Sequence, residues 1–190
     1  MGQMNSPLRT LLSKRELWRG FTFLISIGAF YIFFYICLQP LIYYIESIST
    51  VLTSFFLSVL GVEHSLGFAA EPVIRVGSVD AVIGRLCAGD IEIAMVLAVI
   101  FATFDRKLGD RIKAALVALP FILIANAIRI STVLWVGSSM GWASADFVHD
   151  VLFRITLLVV VLLYYAFWYL GYMGRCAAKI LNKINTLAKR

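Results

Sequence analysis

Charged residues are scarce in this sequence: 15% of positions, against 61% hydrophobic, with a mean hydropathy of +0.90. Soluble domains carry about 25% charged and about 45–50% apolar residues. The scarcity therefore excludes an ordinary soluble domain and leaves an integral membrane protein of one compact domain, 1–190. Acidic residues are the rarer sign, 11 against 17 basic, for a formal charge of +6. The basic excess is local, lying at the N-terminus, in one short loop and at the C-terminus. Nucleic acid would need a broad basic face, which such clusters do not make; they set topology and touch anionic lipid instead. Cysteine is sparse too. Cys37, Cys87 and Cys176 make an odd count, which argues against a disulfide framework. No metal-ligand cluster, phosphate-binding glycine loop or cofactor motif is present in the sequence, so neither a metal nor a cofactor is expected.

What is there is a series of long apolar runs. Residues 17–38 follow a basic N-terminus and are long enough to cross a bilayer, which needs about 20 residues. No small-residue cleavage site ends the run, so it reads as an uncleaved anchor. Pro40 then breaks or kinks the helix. Residues 41–60 are apolar but carry Glu46, Ser47, Ser49, Thr50, Thr53, Ser54 and Ser58. Residues 72–84 are rich in β-branched side chains around Gly77-Ser78 and read as a small hairpin. Open strand edges do not sit in lipid, so the hairpin belongs at the surface. Further spans are expected at 86–104, 114–136 and 147–172. A basic loop, 105–113, and a Gly/Ser loop, 137–145, separate them, and a basic tail fills 173–190.

The positive-inside rule places the N-terminus, the 105–113 loop and the tail in the cytoplasm, with the hairpin and the 137–145 loop outside. That parity requires 41–60 not to cross fully. It is read as an interfacial or re-entrant helix on the outer side, its polar face in water. The expected fold is thus an all-α integral membrane bundle. It has about four transmembrane helices, an interfacial helix and a small outer hairpin.

This topology brings three reactive residues to one layer. Cys87 opens the 86–104 run and His149 opens the 147–172 run, both at the outer side. Arg129 lies 15 residues beyond Ala114, about 22 Å along an outward helix, hence in the outer leaflet. A helix N-terminus and Arg85 would favour a thiolate at Cys87, and Asp90 would oppose it unless Arg129 neutralises Asp90. On position alone, Cys87 reads first as a buried apolar cysteine. A guanidinium inside an apolar helix costs about 3 kcal/mol. Arg129 therefore faces a cavity, the headgroups or a carboxylate, with Asp90, Glu92 and Asp150 all in reach. Asn126, Arg129 and Thr132 form a polar stripe on one helical face. His149, with Asp150 and Arg154, begins the last span and suits acid/base work near neutral pH. His64 reads as a surface residue before the hairpin. A thiol, a base and a cation in a dry site are the parts of nucleophilic acyl transfer.

Cys87-Ala88-Gly89 opening a helix, Asn126-Ala127-Ile128-Arg129-Ile130 inside the next, and His149 opening the one after resemble the exosortase/archaeosortase signature. The resemblance spans residues 73–165. It implies a membrane-embedded, sortase-like cysteine transpeptidase acting on surface proteins with a C-terminal sorting signal: a short motif, a transmembrane helix and a basic tail. By that resemblance Cys87 is the nucleophile, Arg129 the electrostatic stabiliser and His149 the acid/base, with Arg154 the competitor for His149. Asn126, Gly89 and Asp90 are supporting or substrate-binding. The new C-terminus would pass to an acceptor, a membrane lipid in the archaeal case. The chain departs from the pattern in being short and in carrying Asp90 where an apolar residue is expected. Two other readings stand beside this one: a non-enzymatic transporter or assembly subunit with a structural polar layer, and a protease that hydrolyses rather than transfers.

Overall fold

The computed structural model describes residues 14–68 and 71–171. The tail at 173–190, with Cys176, lies outside the described residues. Helix α1 (Lys14–Leu38) leads through a 3₁₀ turn, Gln39–Leu41, into α2 (Ile42–Val59). Pro40 sits in that turn, where its fixed φ and missing N–H end α1 and the tighter winding lets the chain resume as helix. Strands β1 (Ser65–Phe68), β2 (Pro72–Val76) and β3 (Val79–Val82) follow. Then come a single turn, α3 (Arg85–Ala88), and helices α4 (Asp90–Ala102), α5 (Leu108–Met140) and α6 (Trp142–Tyr169). Among the described residues, two helical stretches are long and apolar enough to cross a membrane, Leu17–Val59 and Leu108–Met140.

The run expected to span at 86–104 is broken. Gly89 takes φ +91, and α4 beyond it has 13 residues. That is about 20 Å of helix against a hydrocarbon core about 30 Å thick, and the α3 turn before it adds to the reach of the segment. Its side chains explain its place. Ile93, Ala94, Val96, Ala98 and Ile100 are buried, and Ile91, Met95 and Val99 on the opposite face are half-buried. A helix apolar all round belongs inside a bundle, and α4 packs against α1, α5 and α6. The sequence could not distinguish lipid from protein as its solvent.

A second correction concerns the polar residues of α2. Glu46, Ser49, Thr50 and Thr53 do not face water: all four are buried, where α2 packs on α5 and α3. A third is the 137–145 loop. Helix α5 continues through Met140 and α6 starts at Trp142, so the connection is Gly141 alone, at φ +94. The corner is tight because Gly137 has no side chain; a Cβ there would lie 2.5 Å from the Trp142 ring.

The hairpin forms across Gly77-Ser78, with Val76 opposite Val79 and Arg75 opposite Asp80. Gly77 supplies the positive φ of the turn. Strand β1 pairs with β2 and makes the sheet three-stranded. All four of its residues are exposed, so it carries no alternation for a pattern argument to find. On the other strands Ile74 and Val76 turn inward, and with Ile83 they meet Leu57 of α2 and Ile130 and Leu134 of α5. Arg75 and Asp80 pair on the outer face. The hydrogen bond from Arg75 holds the Asp80 carboxyl below the usual carboxylate range. His64 is half-buried: one ring nitrogen lies 2.7 Å from Ser54 Oγ and the other 2.8 Å from the Val62 carbonyl. It thus pins the loop to α2 rather than standing free at the surface.

Candidate active site

The sheet delivers the chain to the site. Ile83 bonds back to Pro72 and is buried, and Gly84 caps α3. The α3 turn closes through the N–H groups of Cys87 and Ala88 onto the Gly84 carbonyl. It stops after one turn because Gly89 adopts the left-handed conformation that L side chains avoid. The position is closed to a side chain for a second reason: a Cβ would come within 3.3 Å of the Asn126 amide.

Breaking the helix strands the carbonyls of Cys87 and Ala88, which an unbroken helix would satisfy from four residues on. Three side chains take them up. Asn126 Nδ2 donates to the Cys87 carbonyl at 2.6 Å and Arg129 donates to it at 3.3 Å. Ser49 Oγ donates to the Ala88 carbonyl at 2.9 Å. Leaving such a carbonyl buried and unmet costs about 1–3 kcal/mol, so these contacts hold the turn rather than merely touch it.

The structure brings Cys87 and His149 together across 62 residues of chain, with Sγ 3.8 Å from Nε2. That is long for a hydrogen bond but within the looser spacing of catalytic pairs before substrate arrives. His149 Nδ1 lies 3.9 Å from Asp150 Oδ1. Half of the site is open, since the His149 side chain is 42% exposed while Arg129 and Glu92 are almost fully buried.

Arg129 reaches the cysteine turn and forms an ion pair with Glu92, at 3.2 Å. Of the three carboxylates in reach by sequence, Asp90 is buried with its Oδ1 lacking a hydrogen-bond partner among the described residues, and Asp150 is exposed. Arg85 turns away from the thiol, to Gln39 at 2.6 Å and Tyr35 at 3.1 Å. Its expected influence on Cys87 therefore finds no direct contact. Thr132 bonds the Ile128 carbonyl of its own helix and stays outside the site; Ser131, buried, lies 2.7 Å from the Ala127 carbonyl of its own helix and 3.2 Å from the Thr53 carbonyl of α2. Arg154 lies on α6, but its side chain is outside the described residues. Among the described residues, no group of three or more His, Cys, Asp or Glu side chains is placed to hold a metal ion.

Ser49 is a contact to the cysteine turn that sequence reasoning missed. A signal existed: Glu46, Ser49, Thr50 and Thr53 recur at helical spacing on an apolar helix. The spacing reveals a polar face without saying whether water or protein meets it.

The profile of the transmembrane exosortase family matches residues 8–166, which takes in α1 through most of α6. No curated protein and no solved structure matches the chain.

Proposed function

This chain belongs to the transmembrane exosortase family, and on that premise we propose that it is a cysteine transpeptidase whose nucleophile is Cys87. Members of the family are in general membrane cysteine transpeptidases. The observation that carries the assignment is the 3.8 Å approach of Cys87 Sγ to His149 Nε2 beside a buried guanidinium.

His149 takes the thiol proton as the sulfur attacks a peptide carbonyl of the substrate. The negative charge that develops on the carbonyl oxygen is stabilised by Arg129, in surroundings dry enough to strengthen that attraction. Collapse of the tetrahedral intermediate expels the leaving amine, which receives the proton from His149, and leaves a thioester on Cys87. An acceptor hydroxyl or amine then attacks the thioester, gives its proton to His149 and restores the thiol. Water in that role would make the enzyme a hydrolase.

The substrate in this reading is an exported surface protein with a C-terminal signal of short motif, transmembrane helix and basic tail. The signal helix would lie in the bilayer beside the bundle, its motif level with the half-open His149. The acceptor is a membrane lipid. In this reading both termini of the enzyme are cytoplasmic and the site lies at the outer leaflet, which the distribution of Lys and Arg supports.

The test compares wild type with Cys87→Ala in cells or liposomes with a candidate signal protein, followed by gel shift and intact mass. Processing should stop in the variant while expression and insertion persist, and the wild-type product mass then separates lipid transfer from hydrolysis. Continued processing by Cys87→Ala would sink the cysteine mechanism. The buried Arg129–Glu92 pair would then be explained as the structural polar layer of a non-enzymatic membrane protein.

A further inference from the structure

One buried hydroxyl takes no part in that chemistry yet touches the nucleophile's own turn. Ser49 of α2 is 0% exposed and donates to the carbonyl of Ala88, the residue next to Cys87. The adjacent carbonyl, that of Cys87, is held by Asn126 and Arg129 of α5. Two consecutive carbonyls are therefore gripped from two different helices. The turn they belong to is only Arg85–Ala88, and Gly89 uncouples it from α4. Rotating so short a turn about its axis would swing Cys87 Sγ away from His149, and such a rotation has to break both grips. With the α5 grip alone, the turn keeps a pivot at Cys87 and is free to tilt about it.

We propose that Ser49 is a positioning residue for the nucleophile: its bond to Ala88 fixes the α3 turn so that the Cys87 thiol meets His149. The proposal rests on the reading of Cys87 as nucleophile and His149 as its base. Thr50 supplies a matched control. It is equally buried on the same helix, but among the described residues its hydroxyl bonds the Glu46 carbonyl of its own helix and not the cysteine turn.

The experiment measures iodoacetamide alkylation of Cys87 against pH in the full chain in lipid nanodiscs, read by peptide mass spectrometry. Arg85 and Arg106 bracket Cys87, so trypsin separates it from Cys37 and from position 49. The comparison spans wild type, Ser49→Ala, His149→Ala, the double variant and Thr50→Val, with turnover measured in parallel. Ser49→Ala should lower kcat about tenfold with KM unchanged, the scale of one buried hydrogen bond of ordinary strength. Its alkylation profile should move onto that of His149→Ala, and the double variant should be no slower than His149→Ala alone. Thr50→Val should follow wild type.

A Ser49→Ala protein that alkylates and turns over as wild type overturns the proposal, as does a double variant whose losses multiply. If Ser49→Ala does not accumulate, Ser49→Thr and Ser49→Cys carry the comparison. The hydroxyl should keep the wild-type profile and the weakly donating thiol should shift it; equal profiles overturn the proposal. Failure of the underlying reading looks different, because Cys87→Ala would then still process substrate whatever Ser49 does to alkylation.

Discussion

At the scale of single residues, two contacts of Arg129 have different consequences. Its bond to the Cys87 carbonyl places positive charge beside the thiol-bearing turn, and its ion pair with Glu92 makes that charge tolerable in a buried site. Both side chains are almost entirely buried, at 2% and 3% exposure. Removing one member of such a pair leaves an uncompensated charge and costs about 3–5 kcal/mol. Glu92→Gln should therefore lower the melting temperature in detergent sharply. The double replacement Glu92→Leu with Arg129→Met should recover most of that stability and remain inactive. A stable double variant that still processes substrate would show that Arg129 serves packing alone. The sequence offered Arg129 three carboxylates. It could not choose among them, because the choice depends on how α4 is rotated after Gly89.

At the scale of elements, the decisive feature is the break between α3 and α4. A continuous helix would have satisfied the Cys87 and Ala88 carbonyls internally and left Asn126, Arg129 and Ser49 without acceptors on this turn. Gly89→Ala tests the break. The left-handed conformation costs an L residue about 1–2 kcal/mol, and the new Cβ would press on Asn126 at 3.3 Å. The expected result is a modest fall in melting temperature with a far larger fall in turnover, since strain at this point is relieved by moving the cysteine turn. Unchanged turnover would mean that the turn's exact pose does not matter. Gly89 was visible in the sequence as part of a motif. Its physical role was not, because a glycine at a helix start and a glycine that ends a one-turn helix look the same in one dimension.

At the scale of the whole molecule, α2, α4 and α5 form a protein-lined interior that the apolar runs did not announce. Thr53, Ser131 and Glu46 lie in it with Glu92 and Arg129, away from lipid. The orientation proposed from the basic residues can be checked directly. In intact cells, an impermeant maleimide should label Ser138→Cys and Ser78→Cys, while Lys107→Cys should react only after permeabilisation. The opposite pattern would place the His149 side of the bundle in the cytoplasm and remove exported proteins as substrates.

The sequence by itself determined the membrane class, the break at Pro40, the hairpin across Gly77-Ser78 and the short set of residues from which a cysteine mechanism could be built. These depend on composition, on backbone restrictions local to proline and glycine, and on side-chain chemistry, all of which are written one residue at a time. The tertiary structure decided what each apolar or polar face meets. It turned the polar stripe of α2 inward onto the cysteine turn and buried α4 in protein rather than lipid. It paired Arg129 with Glu92 and set Cys87 against His149. Periodicity along a chain fixes that a face exists, whereas its partner is fixed by packing between segments far apart in sequence.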